Sequence, residues 1–169
     1  VAILLVLVWS GLSFVQTGVW KDSFSLFMHG VKAQPKDTLS WANLGSIYQV
    51  GGNYEKGIEC HSRAVQLKPM EYISWYNLGY CWGKLGDQEK SKLNYEKSLQ
   101  AYPNYVPSLK NLGVILEGEG NKSGARDLYW RAAEASRFRD EAILNRLVML
   151  EGELRNYEGI LKLLSAMKA

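Results

Sequence analysis

The side chains that could hold a metal ion or act as nucleophiles are few and far apart in this sequence. His29 and His61 have no acidic partner at ligand spacing, and the H-E-x-x-H pattern of zinc enzymes does not occur. Cys60 and Cys81 are too few for a disulfide scaffold and lack a close C-x-x-C partner. We therefore predict no metal site and no cofactor, and we interpret both cysteines as small packing residues.

The glycine-rich segments and the carboxylates do not form a recognisable active site either. Gly51–Gly52 and Gly118–Gly120 join predicted helices and follow no strand, so they lack the context of a phosphate-binding loop. The G-x-S-x-G motif is absent, and the carboxylates are scattered or lie near lysines, as Glu89 lies near Lys92. The sequence predicts that this chain is not an enzyme, and no small-molecule substrate is evident from it.

The composition is that of an ordinary folded protein without a basic patch. The chain has 169 residues, of which 47% are hydrophobic and 22% are charged, and these values exclude wholesale disorder, collagen and a many-span membrane protein. Twenty Lys and Arg residues against seventeen Asp and Glu residues give a formal charge of +3, and both signs run through the chain. We expect no nucleic-acid partner.

The first twenty residues differ from the rest because they carry no charge. Fourteen of the residues from Val1 to Trp20 are apolar, and twenty helical residues span about 30 Å, the thickness of a bilayer core. Trp9 and Trp20 stand where residues of a membrane interface often stand. A membrane-spanning helix and a buried helix of a soluble domain both fit this segment.

Comparison of the sequence with itself reveals a repeat period of about 34 residues, a length that indicates a solenoid of stacked helical hairpins. Four independent columns of identical residues share this period. The columns are Pro35, Pro69 and Pro103; Asn43, Asn77 and Asn111; Gly45, Gly79 and Gly113; and Gly52, Gly86 and Gly120.

Each period predicts two helices joined by a turn, and no strand pattern is found. Apolar residues recur at helical spacing over Thr38–Val50, and Gly51–Asn53 would end that helix with a residue of positive φ. Tyr54–Leu67 predicts a second helix, which Lys68–Pro69 stops because the residue before a proline avoids the helical region. Small residues are expected where the helices cross closely: Gly45 with Ala64, and Gly79 with Ser98.

The pattern W-x-x-L-G-x-x-Y from Trp41 to Tyr48, followed by Ala64 and Pro69, resembles the tetratricopeptide repeat. The resemblance covers residues 38–139 in three copies, with a looser fourth copy from about residue 140. It implies an all-α, right-handed superhelical solenoid of helix-turn-helix hairpins.

The copies depart from the family pattern at several positions. His61 stands at a usual aromatic position, and Leu109 and Arg137 replace the tryptophan and the closing proline of the third copy. In the fourth copy, Asn145 keeps the period whereas Asn156–Tyr157 lies one residue late. A degraded terminal copy is typical of a cap.

The repeat register also sets the predicted domain boundaries. Gly11 and Gly18 lie one full period before Gly45 and Gly52, so the apolar opening is also in register with a repeat zero. The predicted segments are 1–20, a transmembrane segment or the first helix of repeat zero; 21–37, its second helix; 38–71, 72–105 and 106–139, three repeats; and 140–169, a degenerate repeat or capping hairpin.

In tetratricopeptide proteins the first helices line a concave groove, and the resemblance implies which residues face it here. An asparagine before the Leu-Gly pair can bind the backbone of an extended peptide, because an amide both donates and accepts hydrogen bonds. The alternative is that these amides cap turns or bridge helices. The predicted groove residues are Asn43, Asn77, Asn111 and Asn145, with Gln49, Tyr76, Tyr80, Lys84 and Lys110 beside them. Tyrosines and lysines there suit a polar or mildly acidic segment.

A second resemblance lies at the junction between the opening and the repeats. Val19–Phe27 after an apolar helix looks like the C-terminal end of polytopic membrane proteins with tetratricopeptide tails, among them the transmembrane O-mannosyltransferases. It implies that the repeats lie in the periplasm or a secretory lumen, with the cytoplasm as the alternative. Those families keep their catalytic residues in upstream membrane loops, so no catalytic residue is transferred to this chain.

These observations predict a protein-interaction scaffold that is tethered to a membrane and holds an extended peptide or a partner helix. One alternative is the acceptor-recognition region of a membrane-embedded glycosyltransferase. The other is a soluble assembly factor whose apolar first helix is covered by a partner subunit.

Overall fold

The computed structural model describes residues 23–166, and every regular element among them is an α-helix. The predicted all-α class is therefore confirmed for these residues. Helix α1 covers residues 23–33, and eight further helices follow. They are α2 (Thr38–Val50), α3 (Tyr54–Leu67), α4 (Tyr72–Lys84), α5 (Gln88–Ala101), α6 (Val106–Gly118), α7 (Lys122–Ala135), α8 (Glu141–Glu153) and α9 (Tyr157–Ala166).

No helix within residues 23–166 combines the length and the apolar character needed to cross a bilayer. The candidate membrane segment Val1–Trp20 lies outside the described residues.

The turn between the two helices of each hairpin is built in the same way along the chain. Gly52 has a φ of +76°, which a residue without Cβ adopts at no steric cost, and the next residue is the N-cap of the second helix. The side chain of this cap, Asn53, accepts a hydrogen bond from the Lys56 N–H, 3.1 Å away, which satisfies one unpaired donor of the first turn. The equivalent caps of the later second helices are Asp87, Asn121 and Asn156.

Two compact units divide the chain, with the boundary between Lys68 and Pro69. In the first unit, Val31 of α1 packs with Leu44 of α2 and Cys60 of α3. The Phe24 ring meets the Tyr48 ring edge-on, with 5.6 Å between centroids. Helix α1 ends one repeat period before the end of α3, so it occupies the place of a second helix.

The second unit has a continuous apolar core that passes from α5 through α9. Its members come from the inward face of each helix, and leucines predominate. The large, fully buried aliphatic residues of this core are Leu109, Ile143, Leu147, Leu150 and Leu163.

The glycine column marks the crossing of the two helices in the first three hairpins. A Cβ atom on Gly79 would lie 2.7 Å from the ring of Tyr95, and one on Gly113 would lie 2.8 Å from Tyr129. Within the first unit, a Cβ on Gly45 would lie 2.9 Å from the ring of His61. Glycine is required because the aromatic ring of the second helix lies directly against the first helix. The side chains nearest to the glycines are thus these rings rather than the expected Ala64 and Ser98.

The last hairpin is displaced by one residue relative to the other three. Helices α8 and α9 begin one residue later than the period counted from α6 and α7 would place them, whereas the earlier hairpins keep the period. The extra residue lies in the α7–α8 connection, where Arg137 and Phe138 both have a φ of 54°. Proline cannot adopt a positive φ, so this connection excludes the closing proline of the earlier copies.

Candidate functional site

A cavity of about 280 Å³ lies between α4 and α6, with side chains of α5 at its floor. Helices α4 and α6 are the first helices of their hairpins, so this cavity is on the surface where the resemblance places a peptide groove. We call this surface the α4–α6 groove. The cavity is lined by Tyr80, Gly83, Lys84, Ser91, Tyr95, Asn111, Val114 and Ile115.

The amide of Asn111 is held in place at this cavity by a buried tyrosine. Asn111 Nδ2 donates a hydrogen bond to the Tyr95 hydroxyl, with 3.0 Å between the two atoms. Burial raises the pKa of Tyr95 to about 12, so the hydroxyl is neutral at physiological pH. Tyr95 in turn is positioned by its ring contact with Gly79. Asn111 also has a side-chain hydrogen bond to Tyr76, so it is the carbonyl oxygen of the amide that can serve a ligand backbone.

The two predicted groove lysines have different surroundings. The Lys84 ammonium lies 5.3 Å from the centroid of the Tyr80 ring, and both residues line the cavity. Lys110 Nζ lies 3.6 Å from Asp140 Oδ2, so a carboxylate of the protein already offsets its charge. Among the described residues, no carboxylate forms an ion pair with Lys84, which leaves a positive site at the end of α4.

The remaining predicted asparagines do not line this cavity. Asn77 is only 8% exposed and lies in the packed part of α4. Asn43 is half-buried on α2 in the first unit, as is Gln49. Asn145 is exposed, and the one-residue displacement of α8 gives it the register of Lys110, whereas Arg146 has the register of Asn111.

A group of five tyrosines, which sequence reasoning did not predict as a unit, lies beside the groove. Their rings are linked by centroid distances between 4.9 and 6.4 Å. We call it the tyrosine cluster; its members are Tyr72, Tyr76, Tyr95, Tyr102 and Tyr105. The high density of tyrosines over residues 72–105 could have indicated this cluster. Their spacing in the sequence does not show, however, that the α5–α6 connection lies next to α4.

A larger cavity, of about 580 Å³, lies between α7 and α9 and is lined by charges of both signs. Glu151 at its base has no exposed surface. Its carboxylate oxygens accept hydrogen bonds from Trp130 Nε1 at 2.6 Å and Asn156 Nδ2 at 2.8 Å. These bonds tie α7, α8 and the start of α9 together, so we assign Glu151 to structure.

No three His, Cys, Asp or Glu side chains within residues 23–166 are grouped to hold a metal ion. Burial raises the pKa of the Cys60 thiol to about 12 and that of Cys81 to about 11, which keeps both thiols protonated and unreactive.

Comparison with known proteins agrees with the repeat assignment. The family model described as "Tetratricopeptide repeat" matches residues 39–69 and 72–105, which correspond to the α2–α3 and α4–α5 hairpins. The solved structure titled "Crystal structure of MamA" is similar with a TM-score of 0.73 and 14% identity, over 89% of this chain and 88% of that one. At this identity the likeness concerns the fold. No curated protein matches the sequence.

These comparisons do not extend to the O-mannosyltransferase families, so the narrower resemblance at the junction finds no support in them. Repeats of this class are generally non-catalytic scaffolds for protein interactions. Residues 39–69 and 72–105 match the tetratricopeptide repeat model, and the helical fold of the chain is similar to that of MamA.

Proposed function

We propose that the unit from Pro69 onward is a protein-interaction module that binds an extended polypeptide in the α4–α6 groove. The observation that carries this proposal is the Asn111 amide, fixed by the Tyr95 hydroxyl beside a cavity of about 280 Å³. An amide with fixed orientation pairs with a peptide backbone without losing side-chain freedom on binding. Tyr80 and Val114 add apolar contact area, and Lys84 adds a preference for acidic groups.

The test is selection of binders from a random peptide library displayed on phage, followed by titration of the selected peptides. We expect Asn111→Ala to weaken binding about tenfold, since it removes the amide hydrogen bonds to the ligand backbone. Tyr80→Ala should weaken it to a similar extent. The matched control is Gln100→Ala, which removes an exposed amide on α5 outside the groove.

Circular dichroism and thermal melts would establish that each variant is folded. Peptides that bind the wild-type protein and keep full affinity for both Asn111→Ala and Tyr80→Ala would show that the groove is not the binding site.

We also propose that residues 1–20 tether this module to a membrane, as the charge-free run from Val1 to Trp20 suggests. Flotation with lipid vesicles would compare the full chain with a form that lacks residues 1–18. Loss of flotation with retention of the cooperative thermal transition is the expected result. Loss of the transition would instead assign this segment to the folded core.

A further inference from the structure

The tyrosine cluster lies at one end of the α4–α6 groove. Tyr72 is the first residue of α4, and Tyr105 is the N-cap of α6. Their rings meet edge-on with 4.9 Å between centroids, so the two helices begin side by side. Tyr76, one turn further along α4, meets the same Tyr105 ring at 5.4 Å.

The opposite end of the groove carries the positive site at Lys84. Tyr76 and Lys84 are eight residues apart on one helix, which corresponds to about 12 Å along its axis. Asn111 and Tyr80 line the cavity at this side of the groove. A ligand that follows the groove would therefore meet aromatic rings first, then an amide, and finally an ammonium group.

The cluster itself is uncharged, and four of its five rings are partly open to solvent, whereas Tyr95 is buried. Tyr102 is 47% exposed, and Tyr72, Tyr76 and Tyr105 are half-buried. Each of these four rings offers an apolar face together with a hydroxyl group. A ligand that suits this surface packs flat apolar groups against the rings. Its carbonyl oxygens accept hydrogen bonds from the tyrosine hydroxyls, and it has no backbone N–H groups that need an acceptor.

Polyproline II segments have this chemistry. Proline has no N–H, its backbone carbonyls remain available, and the extended helix is already rigid, so little conformational entropy is lost on binding. Its rise is about 3.1 Å per residue, so the roughly 12 Å from Tyr76 to Lys84 corresponds to about four residues.

We propose that the α4–α6 groove recognises a proline-rich segment whose prolines pack on the tyrosine cluster and whose acidic residue, about four positions away, pairs with Lys84. Charge complementarity supports this occupant. Lys84, which forms no ion pair with a carboxylate of the described residues, lies at one end of the groove, and the tyrosine cluster at the other end carries no charge. This inference rests on the proposed function and specifies the ligand of the same groove.

The test uses a fluorescein-labelled peptide of six prolines, two alanines and one glutamate, titrated by fluorescence anisotropy against the full chain. A second peptide replaces all six prolines with alanine, and a third replaces the glutamate with glutamine. We expect the alanine peptide to bind at least tenfold more weakly. We expect the glutamine peptide to bind several-fold more weakly and with less dependence on salt.

Matched variants assign these contacts to residues. Tyr105→Leu and Tyr102→Leu keep an apolar side chain but remove the aromatic face, and each should weaken binding several-fold, whereas Tyr157→Leu on exposed α9 should not. Lys84→Glu should abolish the preference for glutamate. Lys56→Glu is its control, since Lys56 lies over the Tyr48 ring at 5.2 Å on the first unit.

Tyr102 is exposed in the α5–α6 connection, so its variant remains informative even if Tyr105→Leu unfolds. Equal affinity for the proline and alanine peptides would overturn the inference. If library peptides without proline bind with the expected dependence on Asn111, the proposed function stands and the proline-rich ligand is excluded. If no peptide binds in that manner, both proposals fail.

Discussion

The indole Nε1 of Trp75 donates a hydrogen bond to the carbonyl oxygen of Pro69, with 2.8 Å between the two atoms. Trp41 makes the same bond to the carbonyl of Pro35 at 3.0 Å. This bond links the tryptophan and proline columns of the sequence, because each tryptophan donates to the carbonyl of the proline that lies six residues before it.

The third copy satisfies the same carbonyl in another way. Leu109 has replaced the tryptophan and offers no donor. The carbonyl of Pro103 accepts a hydrogen bond from Arg131 Nη2 at 2.7 Å instead. The need for a donor is therefore retained when the tryptophan is lost.

Trp75→Phe tests the contribution of this bond. We expect it to lower the free energy of unfolding by about 1 kcal/mol, since the ring is largely kept and the hydrogen bond is lost. Trp82→Phe on the same helix is the control, because the Trp82 ring meets the Lys90 ammonium at 4.1 Å and its change should have a smaller effect. Urea unfolding would measure both. Equal losses would argue against a specific role for the bond.

A pair of buried serines one repeat period apart provides the second prediction. Ser108 Oγ donates to Ser98 Oγ at 2.8 Å, whereas Ser74 Oγ is buried without a hydrogen-bond partner among the described residues. We expect Ser74→Ala to raise the free energy of unfolding by up to about 1 kcal/mol and Ser108→Ala to lower it by about 1 kcal/mol. The opposite signs are the diagnostic result in urea unfolding, and a loss of stability in both variants would contradict it.

The repeat period predicted the helix boundaries well because helix ends depend on local signals. Helices α2 and α3 occupy Thr38–Val50 and Tyr54–Leu67, as the apolar spacing, the glycine turn and the proline stop indicated. The groove was harder to predict. Asn77 and Asn111 share a column, yet one is buried and the other lines a cavity, because burial depends on the side chains of neighbouring helices.

The displaced last hairpin could not be predicted from spacing for a related reason. An extra residue in a loop shifts the register of every later position. The place of this extra residue depends on the backbone conformation of the loop, which sequence spacing does not show. Here Arg137 and Phe138 take up positive φ values. Asn145 therefore kept the period in the sequence but lost its place in the structure, whereas the late position of Asn156–Tyr157 reported the true register.

The same displacement places an arginine where the earlier turns have glycine. Arg155 has a φ of 53° and is the equivalent of Gly120, whose φ is 80°, once the extra residue is counted. A side chain in this region costs about 1 kcal/mol. We expect Arg155→Gly to raise the free energy of unfolding by up to that amount. Arg139→Gly should lower it slightly, because Arg139 is not in the left-handed region and glycine there adds chain entropy to the unfolded state. Paired urea titrations would compare the two.

The buried imidazole of His61 makes the stability of the first unit depend on pH. The side chain has no exposed surface, and neither ring nitrogen has a hydrogen-bond partner among the described residues. Burial lowers the pKa of His61 from 6.5 to about 4. The unfolded chain therefore binds a proton more readily, and the stability present above pH 6.5 is lost as the pH falls towards 4.

A shift of this size corresponds to about 3 kcal/mol at pH 4. His61→Phe should remove this dependence, since the ring would fill the space beside Gly45 without a titratable group. Urea unfolding at pH 7.0, 6.0, 5.0 and 4.5 would give the change in the free energy of unfolding with pH for both proteins. Subtracting the two slopes removes the contribution of the carboxylates that titrate in the same range. Identical slopes for the wild type and His61→Phe would show that His61 does not carry the effect.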